Sequence, residues 1–446
     1  MIEIKTNFLE LIGNKNWRLV KLSLNELDAN DVVRVLQDAQ KREKIILFRL
    51  LTRERKKKVF KLLSPSDQIE FVRALGGRPH KVANLLNDIK PDDRTTFFKE
   101  LPKHVAQPLI QLLSPEEREI TNVLLSYPKN SVGRLMTPEF VAIKPGFSVA
   151  SSFEYIRNNG RDSETLNVIF IVDHAGKMIG DIRIGELLLA APQQFVEELM
   201  DYRFVVLNAM DDQETAVKLF KKYDRVALPV VNKEGVLLGI VTFDDIMDVE
   251  EQESTEDFHK FGSIQSAISD PIKAKIFDLY KNRVVWLFVL VFMNVFSGEA
   301  MSNFEDVIQS YVPLVFFLPL LIDSGGNAGS QSATLMIRYL AVGGVKLNDW
   351  HKLVGKEFIV SFFLGITMAI GVAAVASFRA PEIVVVVGIS MILMVMIGSL
   401  IGLLLPFVFT KLNLDPATAS APLVTSLSDI CGVIIYFSIA AWFFGF

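Results

Sequence analysis

Residues 416–446 form an apolar segment in which Asp429 is the single charged side chain. A carboxylate at membrane depth is costly and is kept where ions or protons are handled; the alternative is a carboxylate that pins neighbouring helices by hydrogen bonds. A second polar site interrupts the apolar stretch Tyr311–Leu340, where Pro319 is followed by Asp323-Ser-Gly-Gly-Asn327. These helix breakers predict irregular backbone, which a bilayer tolerates where it is buried in protein or lines a watery cavity. Asp323 and Asn327 are therefore expected in one pore wall and Asp429 in another. A third constellation spans Asp244 to Asp257, with eight carboxylates in fourteen residues and no lysine or arginine. In a helix such neighbours repel at three- and four-residue spacing, so something positive must offset them. Hard divalent cations prefer oxygen ligands, and magnesium keeps waters while touching one or two carboxylates. Several weak sites of that kind would shift a domain equilibrium, whereas a solvated acidic linker is the bland alternative.

The elements that must position these groups fall into two classes. Five apolar segments occupy the C-terminal third, at about 284–304, 311–340, 358–378, 383–410 and 416–446. The third and fourth run 21 and 28 residues without a charge, against roughly 20 needed to cross a bilayer. Arg283, Arg338, Lys346, Lys352, Lys356 and Lys411 fall on one side of a five-span arrangement, and Glu305, Asp306, Arg379 and Glu382 on the other. The basic side is expected in the cytoplasm and the C-terminus outside. Cys431, the one cysteine, reads as a buried thiol in the last span.

Before residue 283 the chain is rich in charge and long enough for two or three soluble domains. Residues 1–20 are polar and charged, so no cleavable signal is expected and this part should stay in the cytoplasm. The net charge of −4 gives no reason to invoke nucleic acid. Ser64-Pro-Ser-Asp67, Lys90-Pro-Asp-Asp93 and Ser114-Pro-Glu-Glu117 each predict a helix start, with proline in the first turn and carboxylates against the dipole. Their recurrence at 24 to 26 residues predicts stacked helical hairpins in a small superhelical domain. The basic run Arg53–Lys58 reads as a solvated face, or else as a docking surface for the acidic segment.

A second repeat lies between about 130 and 250. Asn167–Val172, a turn ending at Gly176 and Lys177–Gly180 are matched 59 residues later by Ala227–Val231, a turn ending at Gly235 and Val236–Gly239. Each copy predicts strand, glycine turn, strand, then helix. With the entry Leu135-Met-Thr-Pro138 and the exit Gly239-Ile-Val-Thr-Phe-Asp-Asp245, the region resembles a tandem pair of cystathionine β-synthase (CBS) modules. Such pairs are α/β regulatory domains that often bind adenosine nucleotides. The ribose-associated Thr-x-x-Asp pattern is present in the second exit, at Thr242 and Asp245, while the first has Arg183-Ile-Gly-Glu186.

Together these parts resemble the MgtE family of magnesium channels, from roughly residue 130 onward and more loosely before it. The matching stretches are Glu253–Lys260, Arg283–Trp286, Phe304-Glu305, Pro319–Thr334 and Asp415–Asp429. The resemblance implies a multidomain membrane protein: a helical superhelical domain at 1–128, α/β CBS modules at 129–190 and 191–250, an acidic plug segment at 251–282 and an all-α five-span pore domain at 283–446. It implies a homodimer in the cell inner membrane whose soluble parts close the pore when cytosolic magnesium is abundant. Asp429 matches the pore aspartate that attracts hydrated magnesium, Ala421 and Thr425 match positions offering backbone carbonyls, and Glu305 matches an acidic residue near the outer end of the first span. Asp212, Glu214, Asp224, Asp245, Asp248, Glu253, Glu256 and Asp257 fall on the regulatory acidic cluster, with Asp88, Asp92 and Asp93 as candidates from the helical domain. Ala421 departs from the family's usual asparagine or glycine, and Asp323 adds charge at a variable position.

In a twofold dimer Asp429 would form a small carboxylate ring, and such rings select cations. The implied function is entry of Mg2+ down its gradient, with Mg2+ also as regulator and an adenosine nucleotide such as ATP as a further ligand of the CBS pair. A proton-coupled carrier of another divalent ion such as cobalt, manganese or calcium is the alternative, and a tethered nucleotide sensor is a third. No enzyme is expected: no Gly-x-x-x-x-Gly-Lys loop occurs, and the five histidines are scattered.

Overall fold

The computed structural model describes residues 16–75, 79–99, 101–264, 274–341, 344–345 and 347–446, and the chain divides into two compact units after Val249. Lys346 of the basic side and residues 265–273, between the acidic segment and the first span, lie outside the described residues.

The first unit opens with nine short helices among the described residues: α1 (Trp17–Glu26), α2 (Ala29–Asp38), α3 (Lys41–Leu50), α4 (Arg53–Lys61), α5 (Pro65–Leu75), α6 (Pro79–Asp88), α7 (Pro91–Lys99), α8 (Lys103–Ile110) and α9 (Pro115–Ser126). Helices α5, α7 and α9 start on the prolines that the sequence marks, because a first-turn residue has no intrahelical use for its N–H. Ser64 and Ser114 accept the backbone N–H groups of Asp67 and Glu117 at 3.3 Å each, which satisfies donors that the helix leaves free. Phenylalanines fill the space between hairpins: Phe48 stacks on Phe71 at 4.4 Å, and Phe60 meets Phe97 edge-on at 5.5 Å. Arg94 of α7 is fully buried, ion-paired with Glu117 of α9 and donating to Thr121 Oγ1 at 2.9 Å and to the Ile89 carbonyl at 3.1 Å.

After α10 (Val132–Leu135) come two copies of one α/β unit. Strands β1 (Ala142–Ile143), β2 (Val168–Val172) and β3 (Met178–Arg183) form one sheet, with α11 (Val149–Asn159) before β2 and α12 (Ile184–Leu189) after β3. Strands β4 (Leu207–Asn208), β5 (Ala227–Val231) and β6 (Leu237–Thr242) form the other, with α13 (Gln213–Tyr223) before β5 and α14 (Phe243–Phe261) after β6. In each, the first pair is parallel and the second antiparallel. The turn glycines Gly176 and Gly235 adopt φ of +78° and +82°, a conformation that L side chains disfavour. The two turns also bond reciprocally, Met178 N to the Gly235 carbonyl and Leu237 N to the Gly176 carbonyl, both at 3.0 Å. The entry segment pairs with the second sheet through Thr137 and Ile240, at 2.8 and 2.9 Å. An added Cβ on Gly239 would lie 2.7 Å from the Thr137 carbonyl oxygen, which explains a glycine at that point.

The second unit contains α15 (Ile276–Ser302), α16 (Glu305–Ser310), α17 (Pro313–Ala341), α18 (Trp350–Arg379), α19 (Val384–Lys411) and α20 (Ala421–Phe444). Among the described residues four helices are long and apolar enough to cross a bilayer, α15 and α20 and those containing α18 and α19. Helix α17 has 29 residues and carries the polar run Asp323–Asn327.

That run corrects an expectation. Helix α17 is continuous through both Pro319 and Asp323-Ser-Gly-Gly-Asn327, with no stretch of irregular backbone. Proline removes only the bond to the carbonyl one turn earlier, and in lipid the rest of the backbone gains by staying helical. The glycines serve packing instead. An added Cβ on Gly398 would fall 2.1 Å from the Gly325 carbonyl oxygen, and one on Gly402 would fall 1.9 Å from that of Gly329. Two glycine pairs, one helical turn apart, thus let α17 and α19 touch backbone to backbone, the small-residue packing of membrane helices.

Candidate ion pathway and regulatory carboxylates

Helices α17 and α20 run antiparallel. The buried Tyr436 hydroxyl donates to the Leu314 carbonyl at 3.0 Å, and nearer the other end an added Cβ on Gly326 would meet Thr425 Cγ2 at 2.8 Å. These two contacts bracket Asp323 and Asp429 and set them at one level of the helix pair. Asp323 Oδ2 accepts from Asn327 Nδ2 at 2.9 Å, one turn along α17, and both side chains are exposed. Asp429 is half-buried, and its Oδ1 has no hydrogen-bond partner among the described residues. Thr425 and Ala421 lie one and two turns before it, and the Thr425 hydroxyl donates to the Ala421 carbonyl at 2.9 Å. Glu305 is exposed at the start of α16 and accepts from Gln309 at 2.9 Å. No residue of α15 is buried. In a single chain, the face of α17 that carries Asp323 and Asn327 is open, and α15, which packs on α20 through residues such as Ala300 and Met301, keeps most of its surface uncovered.

The acidic segment is helical, as its lack of glycine and proline allows, and forms α14. At its N-terminal end, Asp244 and Asp245 come together with Asp92 and Asp93 from the start of α7. Lys61, in the last turn of α4, sits among them: its Nζ is 3.3 Å from Asp244, 3.4 Å from Asp93 and 3.8 Å from Asp245. Asp92 is the most enclosed, 4% exposed, and neither of its oxygens finds a side-chain donor among the described residues. Burial and the adjacent Asp93 push its carboxyl up to about 7. Burial and Asp92 likewise push Asp245 up to about 7, and burial raises Asp93 to about 6 although Lys61 opposes it. A carboxylate with two buried, unpartnered oxygens beside two more carboxylates fits a hard divalent cation that keeps some of its waters. Among the described residues, however, no three Asp, Glu, His or Cys side chains converge into a ready-made cage.

The other regulatory candidates stand apart from this cluster or farther along α14. Asp88 is held by Arg53 in a two-pronged ion pair, at 2.6 Å for the Nε contact. Asp212 caps α13 by accepting the Glu214 N–H at 2.9 Å, Glu214 pairs with Lys218 at 3.2 Å, and Asp224 closes the far end of α13 at φ +48°. Asp248 is exposed, and Glu253, Glu256 and Asp257 are half-buried. Thr242, buried at the end of β6, places its hydroxyl 2.7 Å from Asp244 and 2.6 Å from Asp245.

Two groups missed in the sequence complete the picture. Lys61 lies a turn beyond the basic run, on the face shared with Lys57 and Lys58, and that spacing was the available signal. Lys260, at the end of α14, bridges Glu256 at 2.7 Å and Asp415 at 2.6 Å, the latter on the loop before α20. That partner is 155 residues away, and no local pattern announces it.

Residues 318–439 match a family model described as a divalent cation transporter, 27–130 match the MgtE intracellular N domain, and 132–192 and 196–251 match CBS domains. The magnesium transporter MgtE of Thermus thermophilus is 34% identical over 98% of this chain and 98% of its own length. The Bacillus subtilis protein of the same name is 32% identical over 81% and 80%. Among solved structures, the cytosolic domain of the Mg2+ channel MgtE in complex with ATP superposes with a TM-score of 0.52 at 30% identity, covering 55% of this chain and 99% of that one. The soluble part of a magnesium transporter gives 0.52 at 25% identity, covering 57% and 99%.

Proposed function

Because the chain belongs to the MgtE family of magnesium transporters, we propose that it is a magnesium-selective channel that admits Mg2+ to the cytoplasm and closes when cytosolic Mg2+ is plentiful. The observation that carries this reading is Asp429, the single charge of α20, with an unpartnered oxygen at the level of Asp323. The transported ion is the cargo. Asp429 would attract it with its hydration shell, since magnesium gives up water reluctantly, and the Thr425 and Ala421 carbonyls would receive those waters. Asp323, Asn327 and Glu305 supply polar and negative surface along the way. The open Asp323–Asn327 face of α17 and the largely exposed surface of α15 support a homodimer in which a second copy completes a pore of five spans per subunit. The positive-inside bias supports an inner-membrane orientation with the soluble domains in the cytoplasm and the C-terminus outside.

Regulation would reside in the carboxylates. Asp92, Asp93 and Asp245 would hold Mg2+ in the closed state, with Asp88, Asp212, Glu214, Asp224, Asp248, Glu253, Glu256 and Asp257 as further oxygen ligands. Domain limits at 128, 190, 250 and 282 describe the helical, first CBS, second CBS, plug and pore parts. The ATP complex of the related cytosolic domain supports a nucleotide at Thr242 and Asp245 as a secondary effector. A transporter of this kind is no enzyme. The placement of Asp323 and Asp429 at one level also favours a second reading, in which the two carboxylates take up protons while a divalent ion moves. Divalent flux into proteoliposomes, with and without Mg2+ on the cytoplasmic face, tests both. A channel reverses at the ion's equilibrium potential whatever the pH gradient; a reversal potential that follows pH establishes the carrier.

A further inference from the structure

Helix α14 contains no lysine or arginine before Lys260, yet a lysine meets carboxylates at each of its ends. At the first end, Lys61 reaches Asp93, Asp244 and Asp245 at 3.3 to 3.8 Å, so one ammonium with three donors faces three carboxylates. Burial works against its charge, but Asp93, Asp245 and Asp244 outweigh burial and hold it well above the ordinary lysine range. At the other end, Lys260 joins Glu256 of its own helix to Asp415 before α20. Two neighbours reinforce that contact: Ser263 and Ser420 share a 2.9 Å hydrogen bond, and Phe261 packs with Ile337, Ala417 and Ala419. For Lys260 too, burial is outweighed, here by Asp415 and Glu256.

We propose that Lys61 and Lys260 are built-in counter-cations of the acidic helix, tethered ammonium groups that latch its two ends and so lower the magnesium concentration at which the closed arrangement forms. This rests on the gating reading above and adds to it. A free divalent ion neutralises the carboxylates wherever the domains are; a lysine does so only when its own element has docked. Lys61 therefore couples neutralisation to the seating of α4 against α14, and Lys260 couples it to the seating of α14 on the loop before α20. Because Lys61 offsets one of three charges around it, the cluster still requires magnesium, at a lower concentration.

The test uses the full-length protein in detergent, titrated with Mg2+ from an EDTA-treated start, with limited proteolysis of the soluble part as readout and proteoliposome flux in parallel. Lys61→Met and Lys260→Met are each expected to raise the protection midpoint by about threefold or more, the scale of a partly exposed ion pair, and to reach the parent plateau at saturating Mg2+. The neutral pairs Lys61→Met with Asp244→Asn, and Lys260→Met with Asp415→Asn, are expected to bring the midpoint back toward the parent. Unshifted midpoints in both lysine variants overturn the latch. A lost plateau that the neutral pairs do not restore also overturns it, because the lysines are then merely structural. A parent without any magnesium-dependent protection overturns the gating reading instead; the latch is then judged on protease resistance in EDTA, where equality of parent and lysine variants sinks it.

Discussion

An added Cβ on Gly402 would lie 1.9 Å from the carbonyl oxygen of Gly329, so α17 and α19 meet there with no room for a methyl group. Gly402→Ala must push the helices apart along the contact that also holds Gly325 against Gly398. Overpacking of this kind costs about 1–3 kcal/mol or more. The melting temperature of the detergent-purified protein is expected to fall clearly. Gly388→Ala on the same helix, where an added Cβ meets nothing within 4 Å, should leave it unchanged. Equal melting of the two variants would refute backbone contact as the role of these glycines.

Asp429→Ala is expected to abolish divalent flux while the protein still assembles, because it removes the single charge of α20. Asp323→Asn, which keeps a polar group beside Asn327, should weaken flux less. Size-exclusion chromatography and proteoliposome uptake measured on the same preparation separate loss of transport from loss of assembly. Flux near the parent level in Asp429→Ala would make the aspartate a structural group.

Much of this architecture is legible in sequence where the determinants are local. The 59-residue repeat places Val168–Val172 over Ala227–Val231 and Met178–Arg183 over Leu237–Thr242, because strand, positive-φ glycine turn and strand are each encoded within a few residues. First-turn prolines announce α5, α7 and α9 for the same reason. The reading fails at Gly325 and Gly326, where glycine suggests a break but close helix contact is what requires it. That distinction depends on Gly398 and Thr425, which are far off in the chain. Lys61 and Asp244 are separated by 183 residues, so a solvated basic face and a half-buried counter-charge look alike until the fold is known.

The raised carboxyls predict a pH dependence with a definite sign. Burial and mutual repulsion lift Asp92 and Asp245 to about 7 and Asp93 to about 6, whereas unfolded aspartate titrates at about 3.9. The folded state therefore binds protons more tightly, and its advantage, complete below the unfolded value, is lost as pH rises through 6 to 7. In EDTA the melting temperature is expected to rise as pH falls from 8 to 6. Magnesium, which requires ionised carboxylates, should raise it most at pH 8 and flatten the profile. Asp92→Asn should reduce the slope; a profile that climbs with pH in the parent would contradict the assignment.

The two candidate effectors are unequal in structure, and their effects should be unequal too. Thr242 and Asp245 form a ribose-type half-signature, but the Thr242 hydroxyl lies between Asp244 and Asp245 at 2.7 and 2.6 Å. The equivalent positions of the first copy are Arg183 and Glu186. Magnesium is therefore expected to drive closure alone, with ATP only raising its apparent affinity. Linkage makes that help mutual, so ATP should bind more tightly at high free Mg2+ than at low, by the same factor. Calorimetric titration of ATP into the full-length protein at two clamped free Mg2+ concentrations measures the factor, and Thr242→Val should bring it to about one while closure at saturating Mg2+ persists. Protease protection by ATP in the absence of magnesium would reverse the ranking and make the nucleotide the primary switch.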